Sequence, residues 1–449
     1  MNYLIVFYCL LLALVRQRKV VLLFPILCFF TPKGFGLIDV PSLPYLSVNR
    51  AIIVVMVSCF LLHLIAAGFR VKKTHFPLAL GFILLGTSYL ASFAVNPESW
   101  ASDAVTALMD FTEIFFPCYL IWYLCKSAEQ AERVLKWIYA IGIVVSLYGT
   151  LAYFTNFNPY LDYLKQTTPT GRVLATNYDD SVRGLRAVGT LSHPITYGAF
   201  QAFTFLIGIF LMRNNRSATR LIVFIAMQLL LLIGIVVTNS RTPLIFVLFS
   251  VLAFTCLART RDKMVVVQIS IVILTITSIG GLEYIEKLAD FVSSAFSQSN
   301  ASGSNGSSLQ MRAGQFLVAW KFFTNAPIFG GGVSQTRSIV ASGAYPTFYN
   351  AESALFQWAI DLGTVGLVAY ATLFAQIYRA AKKKCLSPFS YAVIHALTTG
   401  YIVFVLATGV LETMQLFLVT VVLMLIASGD RRAKSSETEN HCQEVAKIA

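Results

Sequence analysis

The side chains with chemistry to offer fall in a few short stretches. Arg186-Ala187-Val188-Gly189-Thr190-Leu191-Ser192-His193-Pro194 is the first, and Thr238-Asn239-Ser240-Arg241-Thr242-Pro243 the second. Arg312, then Trp320, then Asn325-Ala326-Pro327 and Gly330-Gly331-Gly332 form a third, and Asn350-Ala351-Glu352-Ser353 with Asp361 beyond it a fourth. A guanidinium is a rigid fork of donors that suits bidentate binding of phosphate. A carboxylate partly removed from water can act as a general base. Glu352 also opens an apolar run, where the helix dipole alone would favour a carboxylate. His193, at a helix start, reads as a cap or a packing residue before it reads as a catalyst. The glycine run has backbone N–H groups that could cradle phosphate, but no GK[ST] follows, so it is not a P-loop. Asp361 lies deeper in the same run as Glu352, where an ionised group needs a partner.

The elements that must position these residues are membrane helices. Of the 449 residues 57% are hydrophobic and 12% charged, and the mean hydropathy is +0.71. A soluble protein carries about a quarter charged residues, so this chain cannot cover a soluble surface of its size. Apolar runs occupy 2–15, 20–31, 51–69, 76–94, 104–125, 134–155, 195–212, 221–238, 242–258, 264–282, 352–378, 389–409 and 413–428. Most approach the ~20 residues needed to cross a hydrocarbon core of about 30 Å. The first two are short and could be two tilted spans or one broken unit, so 12 or 13 transmembrane helices are expected in an all-α polytopic membrane protein. No internal repeat is evident.

Charge gives the runs a direction. Basic loops lie at Arg16 to Lys19, Arg70 to Lys73, Lys126 to Arg133, Arg213 to Arg220, Arg259 to Lys263, Arg379 to Lys384 and Arg431 to Lys434. The alternating loops 32–50, 95–103, 239–241 and 410–412 are mostly poor in Lys and Arg. The positive-inside rule assigns the basic set and the C-terminus to the cytoplasm. Two long segments, 156–192 and 283–351, then face outward from a single transmembrane domain spanning 1–428. The polar tail 429–449 has no apolar period and is expected to be a disordered cytoplasmic end. The net charge of +13 follows from the same loops and reads as topology signal and anionic-lipid contact, with no nucleic-acid partner. The eight cysteines form no CxxC pair and lie mostly inside apolar runs, as small hydrophobes do. Arg16, Arg18 and Lys19 follow the first apolar stretch instead of preceding it, which reads as a retained helix and not a cleaved signal.

All the chemical stretches therefore fall at one external surface. Segment 156–192 is rich in Tyr, Asn, Asp and Thr, Tyr178 among them; such residues suit a sugar, and equally a solvated loop anchored at the headgroups by tyrosines. Arg241 stands at the membrane edge, either snorkelling to water or facing a cavity and holding an anion. No DxD, HExxH or Cys/His cluster accompanies these residues, so neither a metal nor another cofactor is expected. Asp110 and Glu113, inside 104–125, are ionisable groups away from that surface and could be structural pairs.

Taken in order, the stretches resemble the O-antigen ligase and polymerase superfamily of bacterial envelopes over roughly residues 180–370. Arg186 to Pro194 resembles its R-x-x-G-T-x-x-H-P stretch. Asn239-Ser240-Arg241-Thr242 resembles its S-R turn between spans. Arg312, Trp320 and Pro327-Ile328-Phe329-Gly330-Gly331-Gly332 resemble its R…W…P-x-x-G-x-G segment. Glu352 through Asp361-Leu362-Gly363 and Gly366 resembles its H-N-x-x-L…E-x-G-x-x-G segment, with Glu352 where ligases carry the basic His. The resemblance implies metal-independent, inverting glycosyl transfer from a glycan on undecaprenyl diphosphate at the periplasmic face of the bacterial inner membrane. It implies that Arg241 and Arg312 hold the diphosphate and that Glu352 deprotonates the acceptor hydroxyl. Arg186, His193, Tyr178 and Trp320 are the further substrate-binding candidates, and a chain-length regulator and a flippase the expected protein partners. Glu352 in place of His favours the polymerase branch. The alternatives are a ligase delivering glycan to lipid A–core or protein, and a non-enzymatic transporter or flippase of lipid-linked glycan. A transporter should carry charged or broken helices near the midplane, whereas here the ionisable residues gather at the external edge.

Overall fold

The computed structural model describes residues 22–27, 36–38, 46–66, 75–97, 100–162, 179–180, 184–191, 193–212, 218–259, 263, 309–348, 351–409 and 412–429. The expected runs 2–15 and 264–282, half of 20–31, Tyr178 and the tail beyond Gly429 lie outside them.

The chain folds as an all-α polytopic membrane protein. A two-stranded hairpin, β1 (Gly36–Ile38) and β2 (Leu46–Ser47), precedes α1 (Val48–Ala66) and α2 (Ala79–Val95). Next, α3 (Trp100–Asp110) passes through a π-turn, Phe111–Phe115, into α4 (Phe116–Leu124). α5 (Ala128–Thr155) follows, then a second hairpin of β3 (Asp179–Asp180) and β4 (Gly184–Leu185). α6 (Pro194–Met212), α7 (Ala218–Val236) and α8 (Arg241–Leu257) complete the first part. Beyond lie α9 (Leu309–Asn325), α10 (Gln335–Ser342), α11 (Ala354–Lys384), α12 (Pro388–Ala407) and α13 (Glu412–Gly429).

Five helical stretches among the described residues are long and apolar enough to cross a membrane: Asp103–Leu124, Ala128–Thr155, Pro194–Met212, Ala354–Lys384 and Pro388–Ala407. Shorter apolar helices lie at Asn49–Leu62, Ala79–Val95, Leu221–Val236, Arg241–Leu257 and Thr413–Gly429. Each falls on an expected run, because a bilayer-length apolar stretch must satisfy its own backbone and does so as a helix.

The core is built on small-residue contacts. α6 is buried on nearly every side, and Gly198 packs against Pro243 of α8 so closely that a Cβ would lie 2.5 Å from its ring. Such contacts let helix backbones approach where lipid supplies no hydrophobic drive. Asp110 and Glu113 both have partners: Glu113 forms an ion pair with Arg50, and Asp110 accepts from the Tyr89 hydroxyl at 3.2 Å. Gln415 donates its side-chain amide to the Glu113 carbonyl, satisfying a backbone group in the widened π-turn.

Candidate functional site

The turn ahead of Arg241 is fixed by the segment that carries Arg186. Ala187 N–H donates to the Val237 carbonyl at 2.9 Å, and Asn239, in the left-handed region at φ 47°, donates its side-chain amide to the Leu185 carbonyl at 2.9 Å. Arg186 donates through Nε to the Thr238 carbonyl at 3.1 Å and through Nη2 to Ser240 Oγ at 2.6 Å. Arg186 thus braces the turn. Ser240 is the N-cap of α8 and Arg241 its first residue, half-buried. The positive end of the helix dipole disfavours a cation there; Arg241 and the dipole together make a positive spot suited to an anion.

His193 sits beside this brace as the N-cap of α6. Its Nδ1 accepts the Ile195 N–H at 3.1 Å, and its carbonyl accepts the Tyr197 N–H at 2.9 Å. Burial, and then the neighbouring Arg186 charge, lower its pKa from 6.5 to about 4, so the ring is neutral at pH 7. The capping role anticipated for it is what the hydrogen bonds show.

α12 brings the Arg241 end of α8 and Arg312 to one level. α8 and α12 pack antiparallel, with Phe246 against Tyr401 and Phe404 and Gly400 so close that a Cβ would lie 2.6 Å from the Phe246 carbonyl. With Phe246 at the level of Gly400 to Phe404, the Arg241 end of α8 lies at the Ala407 end of α12. Arg312, in the first turn of α9, donates Nη2 to the Ala407 carbonyl at 3.3 Å. Its Nε lies 3.7 Å from Glu352 Oε2, with side chains 40% and 21% exposed respectively.

Glu352 is positioned by three elements. Its N–H donates to Oε1 of the fully buried Gln315 on α9, at 3.1 Å. Ala354 N–H donates to the Thr408 carbonyl at 3.1 Å, and Gln357 Nε2 to the Gly409 carbonyl at 3.1 Å. A Cβ on Gly409 would lie 1.8 Å from the Ala351 carbonyl, so that contact requires glycine. Gln315 and Gln357 were not among the sequence candidates; their one local signal is an amide inside an apolar run.

The glycine run has a structural task. α11 breaks at Gly363 (φ 62°, ψ −157°). The freed Thr364 and Val365 N–H groups donate to the Pro327 and Ile328 carbonyls at 2.9 and 3.1 Å, and Gly331 N–H donates to the Ile360 carbonyl at 2.8 Å. Gly330 N–H is bonded to the Ala326 carbonyl at 3.0 Å. Those two N–H groups are spent within the protein and cradle no phosphate. Asp361 finds the partner it needs in Thr336, whose N–H and Oγ1 both donate at 2.7 Å. Asp103 likewise accepts from Ser334 N–H at 3.0 Å and from its hydroxyl. Two carboxylates thereby hold the start of α10.

Trp320 lies on the exposed face of α9, in ring contact with Phe316 and Phe323. Among the described residues, no three His, Cys, Asp or Glu side chains gather so as to hold a metal ion.

Residues 226–371 match the family model described as O-antigen ligase. The matched segment contains Arg241, Arg312, Glu352 and the stitched break at Gly363, whereas Arg186 and His193 precede it. The family's members are glycosyltransferase-like ligases and polymerases. No curated protein matches the chain.

Proposed function

We propose that this protein is a glycosyltransferase of the polymerase type, joining glycan repeat units carried on undecaprenyl diphosphate at the periplasmic face of a bacterial inner membrane. The observation that carries the reading is the placement of Arg312 against Glu352, with the Arg241 end of α8 beside them. A membrane-anchored sugar diphosphate presents its reactive bond at that depth. The acceptor hydroxyl oxygen attacks the anomeric carbon and the carbon–oxygen bond to the diphosphate breaks. The electron pair leaves with undecaprenyl diphosphate, and the hydroxyl proton passes to Glu352. Arg241 and Arg312 stabilise the charge developing on the leaving group. A diphosphate binding Arg312 would compete with Glu352 for the guanidinium and release the carboxylate for the proton. Arg186 acts in this reading by holding the Arg241 turn; Tyr178 and Trp320 are candidates for sugar contact. Membrane lipids surround the site, and a flippase and a chain-length regulator are the expected partners.

The family match is equally compatible with a second reading, a ligase passing finished glycan to lipid A–core or protein. Deletion separates the two: single-repeat glycans mark a lost polymerase, long chains stranded on the carrier a lost ligase. Glu352→Gln should abolish chain growth on purified lipid-linked repeats while the protein stays folded and inserted, and EDTA should leave wild-type activity intact. Wild-type chain length in the variant would remove Glu352 as base, and loss in EDTA restored by Mg²⁺ would overturn the metal-independent mechanism.

A further inference from the structure

Helix α9 is apolar on two sides, one packed into a small core and the other largely exposed among the described residues. Val318 and Ala319 pack into a small core with Ile339, Phe348, Ala351 and Ile360. The opposite face carries Phe316, Leu317 and Trp320 at 50%, 66% and 54% exposure. Phe316 stacks on Trp320 and Trp320 contacts Phe323, so this face is a contiguous aromatic strip. A solvated loop helix would place polar residues there, and a contiguous exposed apolar patch marks an interaction surface.

The strip is continuous with the lipid-facing surface of the spans. Phe316 touches Phe356 in the first turn of α11, beside the exposed Leu355. Past the end of α9, Ile328 and Phe329 are exposed as well, and the Ile328 carbonyl is bonded to Val365 below the α11 break. One turn further, Val368 is exposed on the membrane-spanning limb. That limb ends in the basic stretch Arg379 to Lys384, so its apolar part, Thr364 to Tyr378, is about 22 Å long at ~1.5 Å per residue, less than a hydrocarbon core of about 30 Å. The outer hydrocarbon boundary therefore falls beyond the Gly363 break, toward the first turns of α11 where Phe356 touches Phe316, with Ile328 just inside it and α9 along it.

We infer that α9 is an interfacial helix whose Phe316–Leu317–Trp320 face and following Ile328–Phe329 corner rest on the acyl-chain boundary of the outer leaflet. Aromatic residues, tryptophan above all, favour that depth, and a helix lying in the interface buries its apolar face in it. Arg312, at the N-terminal end of the same helix and on the edge between its two apolar faces, is thereby held at the level of lipid phosphates. This last consequence rests on the diphosphate reading of Arg312; the lipid contact does not.

The test uses the full-length purified protein reconstituted in phosphatidylcholine vesicles whose acyl chains carry bromine either near the carbonyl end or deep in the chain. The signal is the emission difference between wild type and Trp320→Phe, which isolates Trp320 from the other four tryptophans. Trp320 emission should fall about twofold or more with shallow bromines, less with deep ones, and should resist aqueous iodide, as an interfacial indole does. Leu317→Trp in the Trp320→Phe background should behave alike and keeps the test open if one variant folds poorly. Quenching by iodide, or by neither agent, would show the face in water or covered by protein and would overturn the inference. Absence of glycosyl transfer by the wild-type protein in the same vesicles, with the lipid quenching intact, would instead count against the catalytic reading alone.

Discussion

Arg312→Lys separates what Arg312 does for the fold from what it does for the reaction. In the fold Arg312 makes a 3.3 Å bond to the Ala407 carbonyl and a loose 3.7 Å contact with Glu352, with 40% of its side chain exposed. An ion pair that open to solvent contributes under about 1 kcal/mol, and a single hydrogen bond about 1 kcal/mol. Lysine keeps the charge, so stability should fall by no more than about 1 kcal/mol. Catalysis should suffer more. Removing one preorganised donor from a developing oxyanion costs about 3–4 kcal/mol, a factor of 10² to 10³ in turnover, and an ammonium has no second donor in a fixed fork. Turnover is read from the rate of chain growth on lipid-linked repeat units in detergent, and stability from the thermal midpoint of the same preparation. A variant with full turnover, or one whose turnover falls only as its folded fraction falls, would refute the diphosphate-clamp argument.

Two further outcomes test the supporting structure. Gly363→Ala should destabilise the protein by about 2–4 kcal/mol, because its backbone region is open essentially to glycine alone and a Cβ would lie 2.6 Å from both Gly330 N and the Ile328 carbonyl; an unchanged thermal midpoint would show that the stitched break is dispensable. His193 should make stability fall with acid: its folded pKa of about 4 lies below the ordinary 6.5, so its contribution is complete above 6.5 and is lost as the pH drops toward 4, by up to about 3 kcal/mol. His193→Asn keeps a capping oxygen and does not titrate, so its thermal midpoint should depend less on pH across that window, and parallel curves for the two proteins would exclude His193 as the source.

The sequence by itself determined the frame. A span must be apolar over bilayer length and its flanking loops carry biased charge, so helices such as Pro194–Met212 and Pro388–Ala407 could be read locally almost to their ends. It also singled out Arg241, Arg312 and Glu352, since a charged side chain at a membrane edge stands out in an apolar chain, and it left His193 as a cap, a packing residue or a substrate contact, among which the hydrogen bonds show the cap. Tertiary structure alone decided how these residues are held and which of them meet. Arg186 proves to brace the Arg241 turn through Thr238 and Ser240, and the glycine run closes the broken α11 through backbone hydrogen bonds. Gln315 fixes Glu352 through a main-chain N–H. Each rests mainly on a carbonyl, which every residue possesses, or an N–H, which only proline lacks, so the composition of the partner segment carries little trace of it. The level shared by the Arg241 end of α8 and the Ala407 end of α12 is likewise set by the close approach of Gly400 to Phe246, a contact between helices far apart in the chain.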